Sequence, residues 1–417
     1  MASIGAASET LSFAEARARV LAAVARGPTE RVPLTRARGR ALARELVAPV
    51  ALPPFRNSSM DGIVARAADL AAASAAHPLE LPLVATLAAG HAPERALGAG
   101  EAMRIMTGAM LPEGGDTVVP VEELSFAGGR VRIAHPMTVG ENVRDAGADL
   151  AAGAVALGAG AALDAHALAL AAALGVTDLE VGAAPRVAVI STGDELVEPG
   201  AALLPGAIRD TNRPMLGWLV EDAGGVVSAS RHVGDRSEAV AEAIRDALET
   251  AEVVITIGGV SEGDFDPVKQ SLPTIGGIAL WRVAMKPGRP QAFGTPGGRL
   301  FFGLPGNPAS VACVFDRLVR PALRLRQGFA AIDRPRLEVR CAERVPSRIG
   351  RTDFVRARLT WRDGGWLASP AGAQVSGHLA PQARAHGLLV VPETRDALAA
   401  GERSEFIVWR LPDGDPA

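Results

Sequence analysis

Lysine is nearly missing from this chain: of its 43 basic residues only Lys269 and Lys286 are lysine, and both fall between positions 253 and 290. In a sequence that otherwise uses arginine, two readings stand. Either a compact, strongly hydrated point charge is needed there, or the pair survived a compositional bias by chance. Cysteine is as scarce. Cys313 and Cys341 lie outside any CxxC spacing, which argues against a zinc site or a disulfide framework and fits a reducing cytoplasm. A basic excess is missing too: the formal charge of −3 opposes a broad polyanion-binding surface, so any anion site has to be local. No basic-then-apolar leader opens "MASIGAASETLSF". The Ala/Gly-rich run 150–176 is broken by Asp164 and His166 and falls short of the ~20 apolar residues of a membrane span. Neither GxxxxGK[ST] nor a GxGxxG between strand and helix occurs, which disfavours P-loop kinases and nicotinamide dehydrogenases. The seven histidines are scattered as surface or capping residues, and no Ser/Cys-His-Asp set stands out.

What is present is a globular composition, 48% apolar and 21% charged over 417 residues, enough for roughly two to four domains. "SFAEARARVLAAVA" starts with the Ser12 to Glu15 spacing of a capping box and predicts a helix over 13–25. Between 46 and 145 short β-rich pieces alternate with Gly and Pro, an inserted β-rich domain. Helical pattern returns at 150–180. Residues 1–45 and 146–182 are therefore expected to pack together as one discontinuous helical linker or dimerisation domain. Residues 183–328 alternate strand and helix, the pattern of a doubly wound, mostly parallel sheet. Residues 329–417 read as a small C-terminal β-barrel or sandwich.

Chemistry concentrates after the strands of the central segment, where open α/β sheets place their ligands. "RVAVISTGDEL" puts Gly193, Asp194 and Glu195 there; "VVITIGGVSEGDFD" adds Gly258, Gly259, Ser261 and three acids, among them Asp266; "FFGLPGNPAS" adds Pro305, Gly306, Asn307 and Pro308. Glycine lets backbone amides approach a ligand, and the amides of a helix starting near Pro308 are expected to be open to an oxyanion. Carboxylates beside a bound phosphate repel it unless a cation intervenes, and magnesium bridges such groups economically. The same acids also serve to cap helices and form turns. "WRVAMKPGRPQAFG" gathers Arg282, Lys286 and Arg289 about a Pro-Gly turn, either a presenter of positive charge to an anion or a solvated turn.

Taken in order, "PPFRNSSMDG", "RIMTGAMLPEGGDTVVPVEEL", "GENVRDAGADL", "STGDEL", "GGVSEGDFD", "KPGRP", "GLPGNPAS" and "AQVSGHL" closely resemble the molybdopterin molybdenumtransferase family, the MoeA proteins and the E domain of gephyrin, over nearly the whole chain. The resemblance implies a MogA/MoaB-like central domain in a cytoplasmic, four-domain subunit of an elongated homodimer. It also implies insertion of molybdate into adenylylated molybdopterin, with magnesium-dependent release of AMP and of molybdenum cofactor. Carried over by position, Asp61 and Thr107 come from the insertion of one subunit, with Arg144 and Asp149 from "VRDAGAD", and that insertion completes the pocket of the other. Glu195, Asp235 and Asp266 organise magnesium and phosphate. Arg282, Lys286, Pro305, Pro308 and Ser376 surround pterin phosphate or molybdate. Molybdopterin adenylyltransferase and apo-molybdoenzymes are the implied partners. Three positions depart from the family pattern: Arg56 stands where an acid is usual, Ile63 where an aromatic is common, and His386 where Asn is favoured. Two other functions compete, a molybdopterin adenylyltransferase and a non-catalytic cofactor-binding scaffold; the GGVSEG loop and the extra β domains oppose the first, the retained acids the second.

Overall fold

The computed structural model describes residues 9–260 and 267–412. Its centre follows from apolar strands, rich in Val, Ile, Leu and Phe, that are buried on both faces. Arg186–Thr192, Val253–Ile257 and Leu300–Leu304 pair in parallel, with Val226–Val233 outside the first. Side chains alternate along a strand: Val187 and Val189 enter one core with Leu216, Val220 and Val311, while Ala188 and Ile190 enter the other with Val240, Ile244 and Val268. Helices Asn212–Asp222 and Pro308–Val314 thus cover one face, and Ser237–Thr250 and Pro267–Ile275 the other. Each fully buried Val or Ile contributes roughly 1.5–3 kcal/mol. Two antiparallel steps, through Pro290–Gly294 to Ile278–Lys286, extend the sheet and return the chain to the parallel direction. All these parallel strands therefore end on one rim.

The sheet does not stop there. Met285 and Lys286 pair in parallel with Thr352 and Asp353, the start of the long strand Thr352–Arg362. That strand closes a ring with Gly365–Pro370, Arg336–Cys341, Arg403–Val408 and Gly387–Val391, so the C-terminal unit is a five-stranded barrel. The insertion holds a six-stranded sheet over two small cores.

The N-terminal expectation needs correcting. The capping box forms as predicted, with Glu15 N–H donating to Ser12 Oγ at 3.2 Å and Ser12 N–H to Glu15 Oε2 at 2.8 Å. Its helix, Phe13–Ala22, ends three residues early and does not pack against the helix Ala165–Ala173. Strand Glu9–Ser12 adds in parallel to Ile278–Lys286 and carries the helix with it, so Leu11, Ala16 and Val20 join the central core. The remaining linker is not purely helical: Thr29–Pro33 pairs antiparallel with Asp178–Gly182 over Val32, Leu163 and Ala171. Among the described residues no helix is long and apolar enough to cross a membrane.

Candidate functional site

The rim runs from Asp235 through Glu195 to the turn at Lys286. Asp194 and Asp235, which follow neighbouring strands, exchange bonds: Asp194 N–H donates to Asp235 Oδ2 at 3.2 Å and Asp235 N–H to Asp194 Oδ1 at 3.1 Å. The Glu195 carboxylate folds back on the loop, and a Cβ on Gly193 would lie 2.5 Å from its Oε2. Asp194, Glu195 and Asp235 are all exposed. Next along the rim, Gly258 N–H donates to Leu304 O at 2.9 Å, and a Cβ on Gly306 would lie 3.7 Å from Gly258 Cα. The two glycine loops are therefore adjacent main chain, with no side chain between them. Asn212, absent from the sequence reading, ties the second loop down through Nδ2 to Gly306 O at 2.7 Å.

Beyond these loops opens a cavity of about 1220 Å³ between the central domain and the barrel. It is lined by Gly258, Gly259, Arg282, Lys286, Arg289, Pro305, Gly306, Asn307 and Ser376, all predicted from sequence. Arg344, Arg348, Arg351 and Arg356 from the barrel complete a cationic wall in which, among the described residues, Glu343 and Asp353 are the only acids. The sequence reading missed that wall; the signal was the spacing of arginines in "RVPSRIGRTDFVR", read only as strand and turn. Opposite it, the KPGR turn is locked. Gly288 has φ +101°, and a Cβ there would meet Val314 Cγ2 at 2.4 Å. Gln291 Nε2 donates to Gly288 O at 2.7 Å, and Val283 N–H to Arg289 O at 2.8 Å. Lys286 and Arg289 project from this turn and are exposed. Lys269 is not part of the cavity lining, so only one of the two lysines serves it.

One expectation about this cavity fails. The helix at Pro308–Val314 does not offer open amides: Pro308 has no N–H, Ala309 N–H donates to Ser376 O at 3.1 Å, and Ser310 and Val311 N–H groups both turn to Asn307 O. Pro308 is likewise not among the lining residues. The barrel loop that brings Ser376 to the cavity is what occupies the helix terminus.

Asp61 and Thr107 form a second constellation in the insertion. Thr107 donates from both its N–H and its hydroxyl to Asp61 Oδ1, each at 2.7 Å. The backbone bond first and the hydroxyl second hold the Asp61 carboxyl below the usual carboxylate range. Gly62 is obligatory beside it, because a Cβ would sit 1.9 Å from Val119 O. Arg144 pairs with Asn57 across a short ladder, and Asp149 N–H donates to Leu52 O at 3.0 Å. None of these four lines the cavity of its own chain. Ser261 and Asp266 lie outside the described residues.

The three departures have local explanations. Arg56 Nε donates to Asp145 Oδ1 at 3.1 Å, so its charge is matched within the insertion. Ile63 is fully buried in the insertion core and does not face the site. His386 Nδ1 accepts the Leu359 N–H at 2.9 Å, a role that an Asn side-chain oxygen also fills.

No set of three or more His, Cys, Asp or Glu converges as a metal site among the described residues. Glu195 and Asp235 are exposed carboxylates, the donor type of which magnesium commonly takes one or two while water and substrate oxygens complete its shell.

Fold and site together define a multidomain protein with a cation-lined cavity at the strand ends of a doubly wound sheet, walled by a β-barrel. Three family models match in succession: the MoeA N-terminal region, domains I and II, over residues 11–175; a probable molybdopterin binding domain over 188–325; and the MoeA C-terminal region, domain IV, over 338–409. The chain is 38% identical over 386 residues to molybdopterin molybdenumtransferase 2 of Mycobacterium tuberculosis, covering 91% of this chain and 94% of the relative. It is 37% identical over 390 residues to the molybdopterin molybdenumtransferase of a Nostoc species, covering 92% and 89%. A crystal structure of a molybdopterin biosynthesis MoeA protein from Pyrococcus horikoshii superposes with a TM-score of 0.85 at 27% identity, covering 96% of this chain and all of that one. The chain belongs to the MoeA family.

Proposed function

We propose that this protein completes molybdenum cofactor by inserting molybdate into adenylylated molybdopterin, with cleavage of the phosphoanhydride and release of AMP. The observation that carries this reading is the junction of two unlike surfaces on one rim: a cationic cavity beside the exposed carboxylates of Glu195 and Asp235. A tetrahedral oxyanion suits Lys286, Arg289 and the close-packed glycine loops. Cleaving a phosphoanhydride requires positioning and charge neutralisation more than a covalent nucleophile, and none is needed from this rim. Magnesium, held by Glu195, Asp235 and Asp266, would neutralise phosphate charge as AMP leaves.

Asp61, Thr107 and Arg144 of the insertion, and Asp149 just beyond it, do not line the cavity of their own chain. This supports a homodimer in which each insertion completes the rim of the second copy. Mixing inactive Asp61→Asn and Glu195→Gln subunits tests it: subunit exchange restores part of the activity if the site is shared, and none if each chain works alone.

The decisive assay supplies adenylylated molybdopterin, molybdate and magnesium, then follows AMP release and reconstitution of an apo-molybdoenzyme. Tight pterin binding without turnover would make the protein a carrier. Formation of adenylylated pterin from molybdopterin and ATP would make it an adenylyltransferase, a reading that its GGVSEG loop and extra β domains oppose. The reading places its action in the cytoplasm, beside the adenylyltransferase that makes its substrate and the apo-enzymes that take its product.

A further inference from the structure

Arg356 is the one buried cation of the cavity wall, 2% exposed, and it pairs with no carboxylate among the described residues. A buried guanidinium is costly unless its N–H groups are matched. Here the match comes from one short segment. Nη1 donates to His378 O at 2.7 Å, Nη2 to Val375 O at 3.0 Å and to Ala373 O at 3.2 Å, and Nε to Gln374 Oε1 at 3.4 Å. Gln374 closes the clasp: its Oε1 accepts the Arg356 N–H at 3.0 Å, and its Nε2 donates to Arg356 O at 3.1 Å and Gly372 O at 2.8 Å. The segment gathered this way, 372–378, has no helix or strand, and Val375 at its middle is 51% exposed. With so little burial it has few means of its own to keep one shape. It nevertheless delivers Ser376 O to the Ala309 N–H at 3.1 Å and sets Gly377 against Asn307.

We propose that Arg356 is a positioning residue: its guanidinium shapes the 372–378 loop and so fixes Ser376 against the 305–309 loop, without itself contacting the anion. Arginine is required because only a planar fork reaches several carbonyls in one plane; lysine keeps the charge and loses the fork. The proposal deepens the molybdate-insertion reading and rests on it for its functional consequence.

The test uses the full-length protein and Arg356→Lys. Hydrogen exchange should accelerate about tenfold or more in peptides covering 372–378 and 308–311, where the Ala309 N–H loses its acceptor, and stay unchanged in the helix Ser237–Thr250. In the AMP-release assay kcat/KM for molybdate should fall about tenfold, and adding Ser376→Ala should cost less than about twofold more, since both changes act through one loop. Gln374→Ala, at a half-buried position that leaves the guanidinium in place, should give the same exchange pattern at smaller amplitude and carries the test if Arg356→Lys does not fold. Normal exchange of the loop with turnover lost would assign Arg356 to the anion directly and overturn the proposal. A loosened loop with unchanged turnover, or losses that multiply with Ser376→Ala, would overturn it as well. If the wild-type protein releases no AMP, the insertion reading fails, and the exchange comparison still decides whether Arg356 holds the loop.

Discussion

The two ends of the rim are built by opposite means. At the Lys286 end the charged side chains stand in a cavity walled by a second domain, on a turn locked by Gly288 and Gln291. At the Asp235 end the carboxylates are exposed, and Asp194 and Asp235 each accept the other's backbone N–H. The difference is in keeping with the ions proposed for the two ends. An oxyanion gains from cations in a partly desolvated wall, where attraction is stronger than in open water. Magnesium gives up its water reluctantly and needs an open site in which substrate oxygens complete its shell. One strand edge thus separates the two charges by domain architecture rather than by sequence distance.

The contrast can be broken from either end. Glu195→Gln should have the largest effect, lowering AMP release by on the order of 10²-fold or more with an unchanged melting temperature, because the side chain is exposed and its shape is kept. Wild-type turnover in that variant would remove the acidic end from the chemistry. Gly288→Ala comes next. Its Cβ would meet Val314 Cγ2 at 2.4 Å in a left-handed backbone conformation, so denaturant titration should show a loss of roughly 2–3 kcal/mol. An unchanged midpoint would mean that the cationic turn is less rigid than its contacts indicate. Lys286→Ala should weaken molybdate binding about tenfold in calorimetry at constant stability, less so at high salt; equal affinity would leave that lysine a solvated residue. The smallest effect belongs to Thr107→Val. It removes one of two donors that hold the Asp61 carboxyl below its usual range, so that carboxyl protonates at higher pH and the acid limb of the pH–rate profile moves up. An unmoved limb would exclude Asp61 from the titration that governs the rate.

Much of the rim was legible in the sequence because its parts are local. Gly258, Gly259, Pro305 and Gly306 sit where an apolar strand gives way to glycine or proline, and Lys286 stands just before a Pro-Gly turn; such strand ends mark a ligand site in an open α/β sheet. What escaped depends on partners far along the chain. Arg356 reads as one residue of an alternating strand, and nothing near it announces that its partners lie 17 to 22 positions away. Of the open amides expected at Pro308, that of Ala309 is taken by Ser376, from a different domain, and those of Ser310 and Val311 by Asn307 O. The capping box at Ser12 was readable to the atom, yet where its helix packs was decided by edge pairing at Trp281–Ala284, which no helical periodicity encodes.

The parallel pairing of Met285 and Lys286 with Thr352 and Asp353 bears on traffic through the site. A roof fastened to its floor by peptide hydrogen bonds, and by Phe13 stacked edge-on to Phe354 with ring centres 5.0 Å apart, is not a lid. Lifting it would tear a ladder and expose a core, so reactant and product must pass while roof and floor stay joined.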